Sequence, residues 1–205
     1  LLQSSAASDV YKRQLPIFPL KLVVLPGTIQ GLQIFEPRYL NMVKQCMSNE
    51  SNFVISYKSD RFDDFDFGIE KVGTSVQIID FNNLPNGLLG ITVKAESKVS
   101  LNNIIQLEDK SYLGEVLPLT EPRVDDQSLL AKYPDLIEVL VKLKEHPEIR
   151  TLQLDIDLDS ADSVSYHLGN LIPLTADEKQ TLLTAFDADQ RFKILSKILE
   201  SIRKT

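Results

Sequence analysis

Nucleophilic chemistry has few side chains to draw on in this 205-residue chain, which contains one cysteine and two histidines. Cys46 would need a histidine base within hydrogen-bond reach to act as a nucleophile. His146 and His167 both lie far downstream, in a half of the sequence with a different predicted architecture. We therefore interpret Cys46 as a packed thiol and both histidines as structural or solvated, and we predict no catalytic residue.

A metal site is suggested by the alternating Asp155, Asp157 and Asp159. A calcium-binding EF-hand loop that began at Asp155 would require glycine at position 160 and glutamate at position 166. The chain has Ser160 and Tyr166 at these positions. We instead predict a solvated acidic edge that leads into a helix capped near Asp159 or Ser160, and we predict neither a metal nor another cofactor.

Composition and charge argue against several classes of function. A Walker A loop ends in Gly-Lys-Ser or Gly-Lys-Thr, and none of the eight glycines is followed by lysine. The formal net charge is −7, whereas nucleic-acid binding relies on clustered Lys and Arg. No apolar run approaches the roughly 20 residues that span a bilayer. We expect no nucleic-acid or membrane partner, and the single cysteine suits a cytoplasmic location.

The most distinctive short motif is Glu36-Pro37-Arg38-Tyr39. One interpretation is a surface that contacts a partner, with Glu36, Arg38 and Tyr39 as binding residues. The other is a helix start, with Glu36 at the cap, Pro37 in the first turn and Tyr39 packed inward. We favour the helix start, and a single sequence does not separate the two.

A second candidate contact surface is an acidic loop over residues 60–66 that carries aromatic side chains. Phe62, Phe65 and Phe67 lie in or beside it, between carboxylates without regular metal-ligand spacing. Exposed aromatic groups rimmed by charge are typical of protein interfaces. We therefore predict that these three phenylalanines bind a partner.

The elements that would position these residues are strands in the first half of the chain. Proline-broken or alternating apolar runs predict strands at 15–25, 30–35, 52–57, 67–81, 88–93, 99–107 and 112–119. We expect a bulge at Gly73 and a hairpin turn at Leu84–Gly87. A single helix begins at Pro37. Together these predict a mostly antiparallel, barrel-like sheet.

The second half is helical. Residues 127–143 form an apolar-faced run that Pro134 should kink or split. Thr175 with Glu178 matches a capping box, and Asp187 with Gln190 resembles a second cap. The last helix carries an apolar stripe made of Phe192, Leu195, Ile198, Leu199 and Ile202. We divide the chain into a non-native leader at 1–14, a β-rich subdomain at 15–122 and a helical subdomain at 123–205, because the leader has no clear periodicity and does not begin with methionine.

Several ordered motifs occur along the chain, namely Leu15–Leu20, Val24–Gly27, Ile34–Tyr39 with Met42-Val43, Leu168–Leu174, Lys179-Gln180, Leu182-Leu183 and Asp189–Phe192. Together they resemble the LON N-terminal domain family, the substrate-binding domain of Lon proteases. The form Phe-Glu-Pro-Arg-Tyr is most similar to the stand-alone bacterial members. The resemblance implies an α+β fold, a β-rich PUA-like pseudobarrel followed by a C-terminal helical bundle. The chain departs from the family in the middle of the barrel, where it has Lys94–Val99 and many family members have a Gly followed by Arg-Phe.

The resemblance implies a non-catalytic module that binds proteins or unfolded peptide segments, despite its likeness to a peptidase family. Lon proteolysis needs a Ser–Lys dyad in a separate domain. We interpret the helix that finishes at Arg203-Lys204-Thr205 as a natural end, with a partial Lon gene as the alternative. The expected surface is the groove between barrel and bundle, or the exposed phenylalanines. Two alternatives stay open: a barrel that binds or converts a small molecule, and an RNA-binding PUA-like protein, which the negative charge disfavours.

Overall fold

A computed structural model describes residues 13–59, 67–152 and 154–203 of the chain. Its first part contains six strands and one helix in the described residues. They are β1 (Arg13–Leu20), β2 (Ile29–Ile34), α1 (Pro37–Ser48), β3 (Phe53–Tyr57), β4 (Val72–Asn83), β5 (Leu89–Gln106) and β6 (Tyr112–Pro118). The first strand starts two residues before the predicted subdomain, with Arg13 opposite Val116 and Gln14 opposite Glu115.

The strands form one mixed sheet in the order β2-β5-β4-β3-β1-β6, and a further pairing between β5 and β6 closes it into a near-barrel ring. The β1–β3 pair is parallel and the other pairs are antiparallel. Closure depends on the length of β5, which pairs with β2 through residues 89–94 and with β6 through residues 99–106. A single long strand therefore closes the ring.

The prediction of two separate strands at 88–93 and 99–107 was wrong, because β5 continues through the polar residues between them. Lys94 and Glu96 are exposed while Val93 and Ala95 are buried, so the alternation of a half-buried strand is kept. The predicted bulge at Gly73 was also misplaced, since the register shifts lie at Ser75/Val76 and Ile78/Asp80.

Glycine at position 73 serves a close approach between neighbouring strands. A Cβ atom at Gly73 would lie 2.7 Å from the Ile55 carbonyl oxygen of β3. The predicted hairpin turn at Leu84–Gly87 is confirmed, because it joins β4 to β5 with Asn83 opposite Leu89. Gly87 takes a φ of 78° there, a left-handed conformation that glycine adopts without strain.

Six helices follow the sheet within the described residues. They are α2 (Asp126–Lys132), α3 (Pro134–Glu145), α4 (Pro147–Arg150), α5 (Ala161–Leu171), α6 (Ala176–Leu183) and α7 (Ala188–Arg203). Pro134 separates α2 from α3 as predicted. Ser160 caps α5, and Thr175 with Glu178 forms the predicted capping box of α6. None of the described helices has the length and apolar character needed to cross a membrane.

Buried apolar residues form three clusters, two in the barrel and one among the helices. In the barrel, α1 buries Tyr39, Met42 and Val43 among sheet residues that include Phe53 and Val93. The helical core collects the buried faces of α2, α3, α5, α6 and α7, and Val23 and Leu25 from the segment after β1 also belong to it. The fold is thus α+β, a ring of strands followed by helices that pack together.

The predicted stripe of α7 is buried at its start and exposed at its end. Phe192 and Leu195 are fully buried, Ile198 and Leu199 are partly buried, and Ile202 is largely exposed. Phe186 is exposed in the turn before α7. The helical core therefore ends before the last turn of the described helix.

Candidate functional site

The candidate site is a groove between the strands and the helices, formed by two adjoining clefts of about 400 and 540 Å³. Pro26, Asp162 and Tyr166 line both clefts. We define the groove by eleven of the residues that line the two clefts: Pro26, Ile29, Lys94, Glu96, Lys98, Glu121, Arg123, Leu154, Asp155, Asp162 and Tyr166. Residues from β2, β5, the β6–α2 connection and α5 thus meet along one surface.

The floor of the groove rests on Arg191, a fully buried side chain of α7. Its Nε donates to Ser165 Oγ at 2.9 Å, and its Nη1 donates to Glu121 Oε2 at 2.6 Å and to the Tyr166 hydroxyl at 3.0 Å. Its Nη2 donates to the Asp162 carboxylate. The guanidinium also lies 4.1 Å from the centroid of the Tyr166 ring. The buried charge is tolerated because each of the three guanidinium nitrogens donates to a partner.

Lys98 extends this network into the barrel. Only 9% of its side chain is exposed, and its Nζ donates to the Ala185 carbonyl oxygen at 2.8 Å. The same ammonium forms an ion pair with Glu121, which also accepts from Arg191. Glu121 lies in the connection between β6 and α2, so one carboxylate joins β5 to α7. We call Lys98, Glu121, Asp162, Tyr166 and Arg191 the junction network.

Electrostatics inside the junction network favour an ionised Glu121. Burial raises the pKa of this carboxyl, but hydrogen bonds and charges from Arg191 and Lys98 outweigh it, so the pKa lies below its usual range. Burial raises the pKa of the Tyr166 hydroxyl, which donates to Glu121 at 3.1 Å. The tyrosine therefore stays neutral and the glutamate stays charged at neutral pH.

The walls of the groove carry both apolar and charged side chains. Pro26, Ile29 and Leu154 supply apolar surface. Lys94 and Glu96 project from β5 as exposed charges, and exposed Arg123 and Asp155 add further ones from the connection and the helical side. Such a surface can contact both the apolar side chains and the polar groups of a polypeptide segment.

The Glu36–Tyr39 motif takes the helix-start geometry. Glu36 occupies the N-cap position of α1, and its carboxylate pairs with Arg38 at 2.6 Å. Tyr39 is 4% exposed, with its ring centroid 4.2 Å from that of Phe18, and burial raises its pKa to about 12. Arg38 donates to the Lys110 carbonyl oxygen at 2.8 Å, in the turn between β5 and β6. The motif thus ties α1 to that turn and does not line the groove.

The predicted phenylalanine surface is described only at Phe67. Phe62 and Phe65 lie outside the described residues. Phe67 is half-buried, and its ring centroid lies 5.3 Å from that of Tyr112 in β6. Its φ of 55° is unusual for a residue other than glycine. Phe67 therefore packs on the barrel beside β6.

Cysteine and histidine occupy separate environments. Cys46 is buried in the barrel core, where burial raises the pKa of its thiol. His167 is buried on α5, and its Nδ1 lies 2.8 Å from the Ser163 carbonyl oxygen. The acidic alternation takes turn geometry, with the Asp159 N–H donating to Asp157 Oδ1 at 3.0 Å. Across residues 13–59, 67–152 and 154–203, no three such side chains form a group able to hold a metal ion.

The junction network was not predicted from the sequence. Its signal was present in the spacing of α7, where Arg191 lies three residues after Ala188 and four before Leu195, both buried. These spacings place an arginine on the apolar face of the helix. A buried charge at such a position requires acidic partners, which would have directed attention to Glu121 and Asp162.

Comparisons with known proteins assign this architecture to a family. Residues 14–201 match the family model described as the substrate-binding domain of ATP-dependent protease La (LON). The crystal structure of a Lon N-terminal domain protein from Xanthomonas campestris superposes with a TM-score of 0.72 at 30% identity, covering 90% of this chain and 98% of that one. The N-terminal domain of a Mycobacterium avium complex Lon protease shares the fold, with a TM-score of 0.68 at 18% identity, covering 89% and 96%.

Curated relatives are longer than this chain. Lon protease from Brevibacillus choshinensis is 23% identical over 94% of this chain and 25% of its own length. Lon protease 1 from Thermus thermophilus is 27% identical over 96% of this chain and 26% of its own length. The chain therefore spans about a quarter of these curated relatives.

Proposed function

We propose that this chain, which belongs to the family of Lon protease substrate-binding domains, binds segments of other proteins without catalysing a reaction on them. The observation that carries the proposal is the groove, whose floor is a charge-compensated network, buried except at Asp162, and whose walls mix apolar and charged side chains. The substrate-binding role of the family suggests protein segments as the ligand, and the groove is the surface that we propose binds them.

The dimensions of the groove suit a short stretch of polypeptide. Its two clefts, of about 400 and 540 Å³, meet at Pro26, Asp162 and Tyr166 and together approach the upper end of the volume range for small-ligand pockets. Pro26 and Leu154 provide apolar contacts, while Arg123 and Asp155 are free to reach solvent or a bound chain. This combination favours contact with side chains of varied sequence over selection of one small molecule.

The same geometry argues for binding without catalysis. The charged groups of the floor are committed to one another, since Arg191 donates to four partners and Glu121 accepts from three. The thiol of Cys46 lies in the barrel core, where burial raises its pKa and opposes the thiolate that a nucleophile needs. We expect the purified chain neither to hydrolyse ATP nor to degrade casein.

Fluorescence anisotropy with labelled, unfolded casein fragments tests the proposal. Leu154→Ser removes an apolar wall of the groove, whereas Leu152→Ser changes a largely exposed leucine two residues away that does not line it. We expect Leu154→Ser to weaken binding at least about tenfold, on the order of 1.4 kcal/mol, and Leu152→Ser to leave it unchanged. Thermal melts of both variants check that the fold persists.

Three outcomes would contradict the proposal. Casein fragments that do not bind the wild-type chain would remove its basis. Equal affinities of the two leucine variants would move the binding surface away from the groove. Casein degradation that persists through further purification and follows the intact protein would restore the enzymatic alternative.

A further inference from the structure

The strand β2 (Ile29–Ile34) forms an open edge of the sheet. Among the described strands it pairs only with β5, at the end of the order β2-β5-β4-β3-β1-β6. A strand edge carries backbone N–H and C=O groups that can pair with another chain. Proteins usually protect such edges with proline, lysine, bulges or inward charges. The β2 sequence Ile-Gln-Gly-Leu-Gln-Ile contains no proline, no lysine and no other charged residue. Its register with β5 has no shift, so the strand also has no bulge.

The ladder identifies which backbone groups face outward. The Ala95 N–H of β5 donates to the Thr28 carbonyl oxygen, and antiparallel pairing alternates along a strand. Gln30, Leu32 and Ile34 therefore direct their backbone groups towards β5. Ile29, Gly31 and Gln33 direct theirs away from it.

The face of β2 next to these outward groups is open. A Cβ atom added at Gly31 would have no heavy atom within 4 Å beyond its chain neighbours. The Gly31 carbonyl oxygen accepts a hydrogen bond from the side chain of the adjacent Gln30 at 2.8 Å, a local contact that another strand can displace. The flanking apolar side chains Ile29 and Phe35 are 41% and 66% exposed. The edge is thus accessible and bordered by apolar groups.

This edge runs directly into the groove, because Ile29 at the start of β2 is also a wall residue. Around Ile29, the exposed carboxylates of Glu96 and Asp155 outnumber the single exposed ammonium of Lys94, and Asp162 is already paired with Arg191. A segment that follows the edge into the groove meets excess negative charge. A basic side chain complements that end of the path.

We propose that an extended segment of a bound polypeptide adds to the free edge of β2 as a further strand, with apolar side chains at alternate positions and a Lys or Arg at the end that enters the groove. This proposal rests on the proposed function and specifies its binding mode. Backbone hydrogen bonds supply affinity that is independent of sequence, as in other cases of strand addition. A second copy of the chain is a poorer occupant, because it brings a net charge of −7 and an uncharged β2.

Amide hydrogen exchange measured by NMR on the full chain tests the strand. The probe is a synthetic ten-residue peptide with alternate valines and threonines and one terminal lysine. We expect saturating peptide to slow exchange at Ile29, Gly31 and Gln33 at least about tenfold. Exchange at Gln30 and Leu32, whose N–H groups already face β5, should change much less. Copies of the peptide that are N-methylated at alternate residues provide the matched control, and only one of the two methylation registers should abolish the protection.

A charge reversal tests the end of the path. Glu96→Lys should weaken the lysine peptide several-fold, and Glu108→Lys, an exposed position in the turn after β5, should not. If the peptide and casein fragments bind while the three amides stay unprotected, strand addition is refuted and groove binding survives. If neither binds, the proposed function itself fails. Protection that appears with rising protein concentration and no peptide would identify a second copy as the occupant and overturn the proposal.

Discussion

Two arginine–glutamate pairs, one in the barrel and one at the junction with the helices, use the same chemistry in different surroundings. Each guanidinium pairs with a glutamate at 2.6 Å and lies over a tyrosine ring, at 4.9 Å for Arg38 and 4.1 Å for Arg191. The side chains of Arg38 and Glu36 are 27% and 38% exposed, whereas those of Arg191 and Glu121 are 0% and 15% exposed. Burial is the main difference between them.

This difference decides how much each pair matters. Exposed ion pairs contribute between zero and about 1 kcal/mol, since water screens the charges. Removal of one partner from a buried pair costs about 3–5 kcal/mol, because it leaves the other charge without compensation. The pair within the most conspicuous sequence motif is therefore expected to be the weaker one, and the pair that joins the barrel to the helices the stronger.

The largest expected effect follows from truncation of the buried arginine. Arg191→Ala leaves the Glu121 and Asp162 carboxylates without their main cation, so the free energy of unfolding should fall by about 3–5 kcal/mol. Arg191→Lys keeps the charge but loses the planar fork of donors, and it should lose less. Urea unfolding measures both. A loss below about 1 kcal/mol for Arg191→Ala would mean that the buried pair contributes no more to stability than the Arg38–Glu36 pair, which would contradict the expected difference.

An apolar reference on the same helix sharpens this result. Leu195 is fully buried one turn after Arg191, and Leu195→Ala should cost about 2–5 kcal/mol through lost transfer energy and a cavity. Lys197→Ala, at an exposed position of α7, should change the urea midpoint little. If α7 were instead a free docking face, the midpoints of these two variants would be equal.

Double-mutant cycles separate electrostatic loss from general loosening of the helix. Arg191→Ala and Glu121→Gln should be strongly non-additive because their side chains bond directly. Leu195→Ala and Glu121→Gln should be closer to additive. Equal coupling in both cycles would mean that Arg191 acts mainly by holding α7 in place.

The pH dependence of stability gives a smaller effect with a defined sign. The interactions of Arg191 and Lys98 lower the pKa of folded Glu121 below its ordinary value of 4.5. Ionised Glu121 therefore stabilises the fold above that pH, and its contribution is lost as the pH falls through the lower, folded-state pKa. The stability gap between wild type and Glu121→Gln should be full above about pH 5.5 and should shrink below pH 4.5. A gap that widens on acidification would contradict the network.

The sequence predicted local features of the fold better than features that depend on distant contacts. Pro134, the capping box at Thr175 and the turn at Leu84–Gly87 act through their own backbone geometry, so their effects could be read directly. The continuity of β5 was missed because it depends on partners on both sides, β2 along its first part and β6 along its last.

The candidate site followed the same rule. The prediction of a groove between barrel and helices came from the family resemblance, and the structure contains a groove at that position. Its floor could not be assembled from the sequence, because Lys98, Glu121 and Arg191 are distant in the chain and meet only after the strands and helices pack. The sequence indicates Arg191 as an unusual charge on an apolar helix face, but it does not identify the partners of this arginine.

The smallest expected effect concerns Arg38, whose side chain is only partly buried. Arg38→Ala should lower the free energy of unfolding by less than about 1 kcal/mol, the usual range for an exposed pair. The lost hydrogen bond to the Lys110 carbonyl is partly offset, because the buried Nε of Arg38 has no hydrogen-bond partner among the described residues and its removal relieves that cost. Urea midpoints of Arg38→Ala and Glu36→Gln should therefore both lie near that of wild type. A loss above about 2 kcal/mol would show that the motif is as structural as the junction network. Unchanged stability combined with weaker casein binding would instead show that Arg38 belongs to a contact surface, which is the other interpretation of this motif.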